Sequence, residues 1–122
     1  MIFGTFDTLH PGHEFVLKEA GTRGVVTVIV ARNVNVQRMK GHTPKQNESK
    51  RMAAIRKAYP GYDVQLGDSN DFLAPVRKTK PDLILLGYDQ NLPPGITADL
   101  LGYPVDRLPA YLPEKYKSSI LR

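Results

Sequence analysis

Two stretches of this chain, "VVTVIVA" at residues 25–31 and "DLILLG" at 82–87, are almost wholly apolar and show no alternation with polar residues. A strand with one wet face alternates, whereas a strand covered on both faces does not, and such strands belong to parallel sheets lying between helix layers. Three weaker runs, "MIF" at 1–3, "YDVQL" at 62–66 and "PVDRL" at 104–108, extend the same theme. Amphipathic stretches of helical length separate them. Residues 12–20 turn Phe15, Val16, Leu17 and Ala20 inward, and 47–59 do the same with Met52, Ile55 and Tyr59. Residues 71–79 and a short turn from about 114 are further helical candidates, and Asn47 and Asp71 stand where N-caps are expected.

Strands alternating with helices predict an α/β protein: a single doubly wound, Rossmann-like parallel sheet of about five strands with helices on both faces. At 122 residues, one domain spanning 1–122 is expected. The segment "RNVNVQRMKGHTPKQ" at 32–46 is long and polar, carries Arg32, Arg38, Lys40 and Lys45, and reads as a loop or lid. A solvated excursion explains its composition equally well.

Composition narrows the chemistry. The absence of cysteine removes disulfides, thiolate metal sites and cysteine nucleophiles. A net charge of +5 favours anionic partners, among them nucleic acid, anionic lipid and polyphosphate metabolites. Like charges never run to five and no basic stripe is interleaved with aromatics, so nucleic acid is not the expected partner. No window reaches the roughly 18 uncharged apolar residues of a membrane span, and no signal-peptide pattern opens the chain, so a cytoplasmic protein without membrane partners is expected.

Two of the three histidines fall within "GTFDTLHPGH" at 4–13, directly after the first apolar run. In an open parallel sheet ligands bind beyond the carboxyl ends of the strands, and the first strand-to-helix turn is a common phosphate seat. Gly4 is placed where a side chain would obstruct a ligand's approach to the backbone. Pro11 suits the first position of a helix, which leaves Gly12 and His13 in its first turn with free N–H groups at a positive dipole end. His10 and His13 then project to one side. Two neutral imidazole donors beside backbone amides suit charge developing on a phosphoryl group. A structural or surface pair, and a shared cation with Asp7 as the only fitting third ligand, are the alternatives. Neither the dinucleotide glycine fingerprint nor the "GxxxxGK[ST]" loop is present.

"GTFDTLHPGH" resembles the signature of the nucleotidyltransferases that carry an HxGH motif, and the terminal "KSSILR" resembles their second signature. The resemblance implies that Thr5 and Phe6 line the nucleotide phosphates and that His10 and His13 contact the α- and β-phosphates. It implies that Ser118, Ser119 and Arg122 form a second anion seat, that Lys40 is a loop lysine reaching the transferring phosphate, that Gly87, Tyr88 and Asp89 bind ribose and base, and that Tyr116 is a further nucleotide-binding residue. Lys117 departs from the family by replacing a serine. The short ends imply either a compact variant or clipped termini. Charged family positions at Glu48 and Arg51 imply contact with the acceptor or the loop, with a solvated helix face as the alternative. Asp7 is expected to shape the acceptor side or metal shell, or else to cap the turn at 7–10.

"VIVARN", "KGHTPKQNESKR" and "LGYDQ" resemble the archaeal-type FAD synthase branch, which transfers AMP from ATP to FMN. That implies Mg²⁺ entering with the triphosphate, no metal held by the protein, and a homodimer as one state open to the chain. The alternatives are a CTP-dependent enzyme acting on glycerol 3-phosphate or a similar phosphorylated alcohol, and a catalytically silent nucleotide-binding module.

Overall fold

The computed structural model describes residues 1–88 and 90–109. Five parallel strands lie in the order β3-β2-β1-β4-β5, with β1 (Ile2–Gly4) central, β2 (Thr27–Val30) and β3 (Asp63–Leu66) to one side, and β4 (Ile84–Leu86) and β5 (Val105–Arg107) to the other. The register pairs Ile2 with Val28 and Leu85, Val28 with Val64, and Leu85 with Asp106. The doubly wound α/β sheet expected from the apolar runs is the fold observed.

Successive residues of the central strands point to opposite faces, and each face is covered. Ile2, Val28, Val30 and Leu85 pack with Leu17 and Ala20 of α1 (Pro11–Thr22) and Ile55 of α3 (Glu48–Ala58). Phe3, Ile29, Ile84 and Leu86 pack on the other face with Val76 of α4 (Ala74–Thr79) and Leu101 of α5 (Ala98–Leu101). This two-sided burial is why the strands lack polar alternation. The run at 25–31 is longer than its strand: Val25 is 97% exposed, because the ladder to β1 begins only at Ile2 and its partner Val28.

Local signals account for several boundaries. Asn47 caps α3 by accepting from Lys50 N, as expected. Asp71 does not cap α4: Leu73 is the N-cap, while the Asp71 carboxylate accepts from Leu73 N and pairs with Arg77. Pro75 in the first turn of α4 delays the helix to the point where a missing N–H costs nothing.

The polar segment at 32–46 is only partly a loop, for it contains α2 (Asn33–Lys40). Its sequence lacks a helical apolar stripe, and only Val36 is buried. Tertiary hydrogen bonds hold it instead: Glu48 Oε1 accepts from Asn33 N at 2.9 Å, and Asn35 and Arg38 donate to Ser69 O at 3.2 and 3.1 Å. A carboxylate from α3 thus supplies the negative charge that the amino end of α2 favours. Gly41, at φ 76°, ends the helix in the left-handed conformation. Among the described residues no helix is long and apolar enough to cross a membrane.

Candidate active site

The chain leaves β1 for β2 and β3 on one side and returns to place β4 and β5 on the other, so the carboxyl ends of β1 and β4 border a topological switch point. Such a point opens a crevice in which ligands of parallel sheets bind. Residues 5–10 form one wall of it and Gly87, Tyr88 and Gln90 the other. Gln90 joins the walls, donating through Nε2 to Phe3 O and accepting through Oε1 from Gly87 N, each at 2.9 Å.

The turn after β1 is an unusual piece of backbone. Phe6 and Thr8 have φ of 52° and 60°, left-handed values that non-glycine residues adopt only where the surroundings impose them. Phe6 folds back and is buried beneath the turn. A Cβ on Gly4 would lie 2.7 Å from the Phe6 ring, so the missing side chain makes room for Phe6 rather than for a ligand.

Pro11 opens α1 as expected, but the first-turn amides are not free. His10 Nδ1 accepts from Gly12 N at 3.1 Å and, more weakly, from His13 N at 3.4 Å. The imidazole is the N-cap, a role ordinarily taken by a short oxygen side chain. Gly12 permits it, because a Cβ there would stand 2.9 Å from His10 Cε1. With Nδ1 accepting, a neutral His10 carries its proton on Nε2 and presents it as a donor.

His13 stacks on His10 with ring centroids 3.7 Å apart and planes 20° apart, and Phe6 meets its edge at 5.5 Å. The pair does share a side, as its spacing predicts. Burial holds the His13 pKa below the ordinary histidine value, and the neighbouring charges of His10 and Lys40 push it the same way, against weaker opposition from the Thr8 backbone and Asp7. Its Nδ1 is buried without a well-formed hydrogen bond. The result is a neutral ring held where anionic charge is welcome. Lys40 completes the group: it ends α2 and donates from Nζ to Thr5 Oγ1 at 3.1 Å. Thr5, His10 and His13 of the decapeptide and Lys40 from a separate stretch therefore meet in space, with the lysine on a helix end rather than in a loop.

Asp7 and Arg51 answer to different needs. Asp7 accepts from Lys45 N at 2.7 Å and Gln46 N at 2.9 Å, and those two bonds lower its pKa. It fastens the segment before α3 and does not cap the turn at 7–10. Arg51 is fully buried and is therefore not available to an acceptor. Its Nε, Nη1 and Nη2 donate to Gln46 O, Thr5 O and Asn33 Oδ1 at 3.1, 2.8 and 2.7 Å. Contact with the loop, rather than a solvated face, is what its position provides; Glu48 likewise serves α2.

On the opposite wall, Gly87 lies directly after β4 and Tyr88 is 62% exposed beside it. Arg107, to which the sequence assigned no role, donates from Nη1 to the carbonyls of Gly87, Tyr88 and Gln90 at 2.8, 3.1 and 2.7 Å. Within the weak run "PVDRL" nothing distinguishes this arginine from a solvated one; Gln90 was visible only as the last letter of "GYDQ". Asp89, Tyr116, Ser118, Ser119 and Arg122 lie outside the described residues.

The described residues do not fit a protein-held cation: no cluster of three or more His, Asp or Glu is arranged to bind one. Asp7, the only carboxylate in the decapeptide, already accepts two amides. The donors at the turn are neutral or cationic and suit an anion.

The cytidylyltransferase-like family model matches residues 1–120. The FAD synthase of Ferroglobus placidus is 44% identical over 91 residues, covering 72% of this chain and 57% of that protein. The FAD synthase of Methanosphaerula palustris is 39% identical over 101 residues, covering 80% of this chain and 63% of that one. The chain thus spans less than two thirds of the length of these relatives. The crystal structure of the lipopolysaccharide core biosynthesis protein from Thermoplasma volcanium GSS1 superposes with a TM-score of 0.79 at 34% identity, covering 91% of this chain and 95% of that one.

Proposed function

The chain belongs to the cytidylyltransferase-like family, and from that premise we propose that it transfers AMP from ATP to FMN, giving FAD and pyrophosphate. The observation that carries the reading is the stacked imidazole pair at the β1/β4 switch point, anchored by the His10 cap of α1 and faced by Lys40. The names of the relatives, FAD synthases at 39–44% identity, support adenylyl transfer to a flavin.

In this reaction an oxygen of the acceptor phosphate attacks the α-phosphorus in line, the bond to the bridging oxygen of the β-phosphate breaks, and pyrophosphate leaves. A phosphate monoester is already anionic, so no residue has to remove a proton. What the chain contributes is orientation and charge neutralisation. His10 donates from Nε2, with Nδ1 held by the Gly12 and His13 amides. His13, kept neutral, adds a second donor, and Lys40 leaves Thr5 Oγ1 for the phosphates. The amino end of α1 adds its dipole. Ser118, Ser119 and Arg122 are assigned the second phosphate seat on the strength of the resemblance, and Gly87, Tyr88, Asp89 and Tyr116 the nucleoside end. Nucleotidyltransferases of this kind use a divalent metal; here Mg²⁺ would arrive on the triphosphate, neutralising it, since the described side chains build no cage.

The test is pyrophosphate release by the purified chain with ATP plus FMN, set beside CTP plus glycerol 3-phosphate, with FAD followed by its absorbance after separation. FAD and pyrophosphate in equal amounts from the first pair uphold the proposal. Turnover confined to the second pair reassigns base and acceptor within the family. Nucleotide binding without turnover on either makes this a silent binding module.

A further inference from the structure

We propose that Arg107 is a positioning residue for the nucleotide, fixing the wall after β4 in the shape that receives the nucleoside end. The inference rests on the proposed function and adds to it a residue that touches no phosphate chemistry.

Three carbonyls of one short segment, those of Gly87, Tyr88 and Gln90, converge on a single nitrogen, Arg107 Nη1. Convergent carbonyl dipoles repel, and a guanidinium among them offsets that repulsion; within the backbone the segment is otherwise closed by a turn in which Gln90 N donates to Gly87 O at 3.2 Å. Among the described residues no carboxylate pairs with Arg107, although its neighbour Asp106 pairs with Arg23. The guanidinium instead bonds backbone that no strand or helix satisfies, which is the work of a residue setting loop shape. Gln90 closes the other side of the same segment by tying it to Phe3 O at the end of β1. The wall is therefore held at two points, by β5 and by β1, at the border of the switch point.

The opposite wall carries the imidazoles and Lys40, so phosphate chemistry belongs there and the nucleoside lies toward Gly87, Tyr88 and Gln90. The two walls are linked through Gln90, not through the histidines. Energy from the Arg107 wall is then felt equally by bound substrate and transition state, and its loss raises KM while leaving kcat. A residue needed only for folding would lower stability and active fraction without that split.

The variants are Arg107→Met, which keeps the stem and removes the donors, and Arg107→Lys, whose ammonium retains three donors. For Arg107→Met the KM for the turned-over nucleotide should rise about tenfold, equivalent to about 1.4 kcal/mol. The kcat should stay within about twofold, and product inhibition by pyrophosphate, which reads only the phosphate wall, should not change. Arg107→Lys should recover more than half of the loss on a logarithmic scale. An unchanged KM with a lowered melting temperature, a fall in kcat at constant KM, or weakened pyrophosphate inhibition each overturns the inference. If the wild-type chain turns over neither nucleotide, the proposed function fails separately, and calorimetric titration with ATP and CTP decides this inference instead. Weaker binding in Arg107→Met supports it, and equal binding, or none by the wild type, overturns it.

Discussion

Two groups of polar residues meet at the carboxyl end of β1, and they are used in opposite ways. His10 and His13 keep hydrogen-bonding capacity in reserve: one ring nitrogen of His10 holds the helix amides, and His13 is tied to the backbone only by a weak contact with Thr8, its buried Nδ1 lacking a well-formed hydrogen bond. Asp7 and Arg51 are occupied, with both carboxylate oxygens on amides and all three guanidinium nitrogens on oxygen acceptors. The irregular backbone at 5–8 and 41–47 has donors and acceptors that no ladder satisfies, and a buried group of that kind must find a partner. Asp7 and Arg51 satisfy the backbone, whereas Lys40, equally charged, bonds only the Thr5 hydroxyl among the described residues. The weakly basic imidazoles are thereby left for a ligand. Charge near a phosphate seat is thus a poor guide to role, and unsatisfied capacity a better one.

The contrast is broken most forcefully at Arg51. Replacing it with Met leaves Thr5 O, Gln46 O and Asn33 Oδ1 without their buried donor and should cost about 3–5 kcal/mol in denaturant unfolding. Lys should not rescue it, because one ammonium cannot span the fork. A loss below 1 kcal/mol would show that Arg51 is not scaffold. Next comes Gly12→Ala, whose Cβ drives out the His10 ring. The lost cap, about 1 kcal/mol, is offset by the gain of about 0.5–1 kcal/mol for Ala over Gly in a helix. Unfolding should therefore change little, while pyrophosphate release falls at least about tenfold as the imidazole is displaced.

A smaller effect is set by pH. The pKa of His13 is lower folded than unfolded, so the unfolded chain takes up the proton first. This contribution to stability is intact above about pH 6.5 and declines as the pH falls below it. His13→Asn should flatten the decline between pH 7 and 5; the lowered Asp7, Asp68, Asp71 and Asp106 act further down, their stabilisation being lost only as the pH falls below the ordinary carboxylate range. An unaltered slope would mean that His13 is not the buried neutral ring described. The mildest change is Asp7→Asn, which keeps one acceptor. It should speed hydrogen exchange at the Lys45 and Gln46 amides and leave those of α1 unaffected.

The sheet was legible because burial on both faces writes itself into the strands as unbroken apolar runs. Asn47 and Pro11 were legible for local reasons, a cap and a fixed φ. Helix α2 was not, since its support comes from Glu48, Ser69 and Gly41 rather than from an apolar stripe of its own. Of the site, the spacing of His10 and His13 predicted their shared side, whereas the cap formed by His10 Nδ1 required knowing that Gly12 leaves space for a ring. Arg51 was legible as far as contact with the loop, but not its burial or its fork of partners; Arg107 was opaque, because it bonds carbonyls 17 to 20 residues away and no residue type near it announces them. Gly4 was read as serving a ligand because the Phe6 fold-back depends on a positive φ that sequence alone does not reveal.

The central claim is that the capped imidazole of His10 stabilises charge on the transferring phosphate. Pyrophosphate release from ATP plus FMN by His10→Ala, at saturating substrates and with folding verified by circular dichroism, addresses it most directly. The account predicts a fall in kcat on the order of 10² to 10³, with bound ATP still detectable by titration. A folded His10→Ala chain that releases pyrophosphate at the wild-type rate would contradict it.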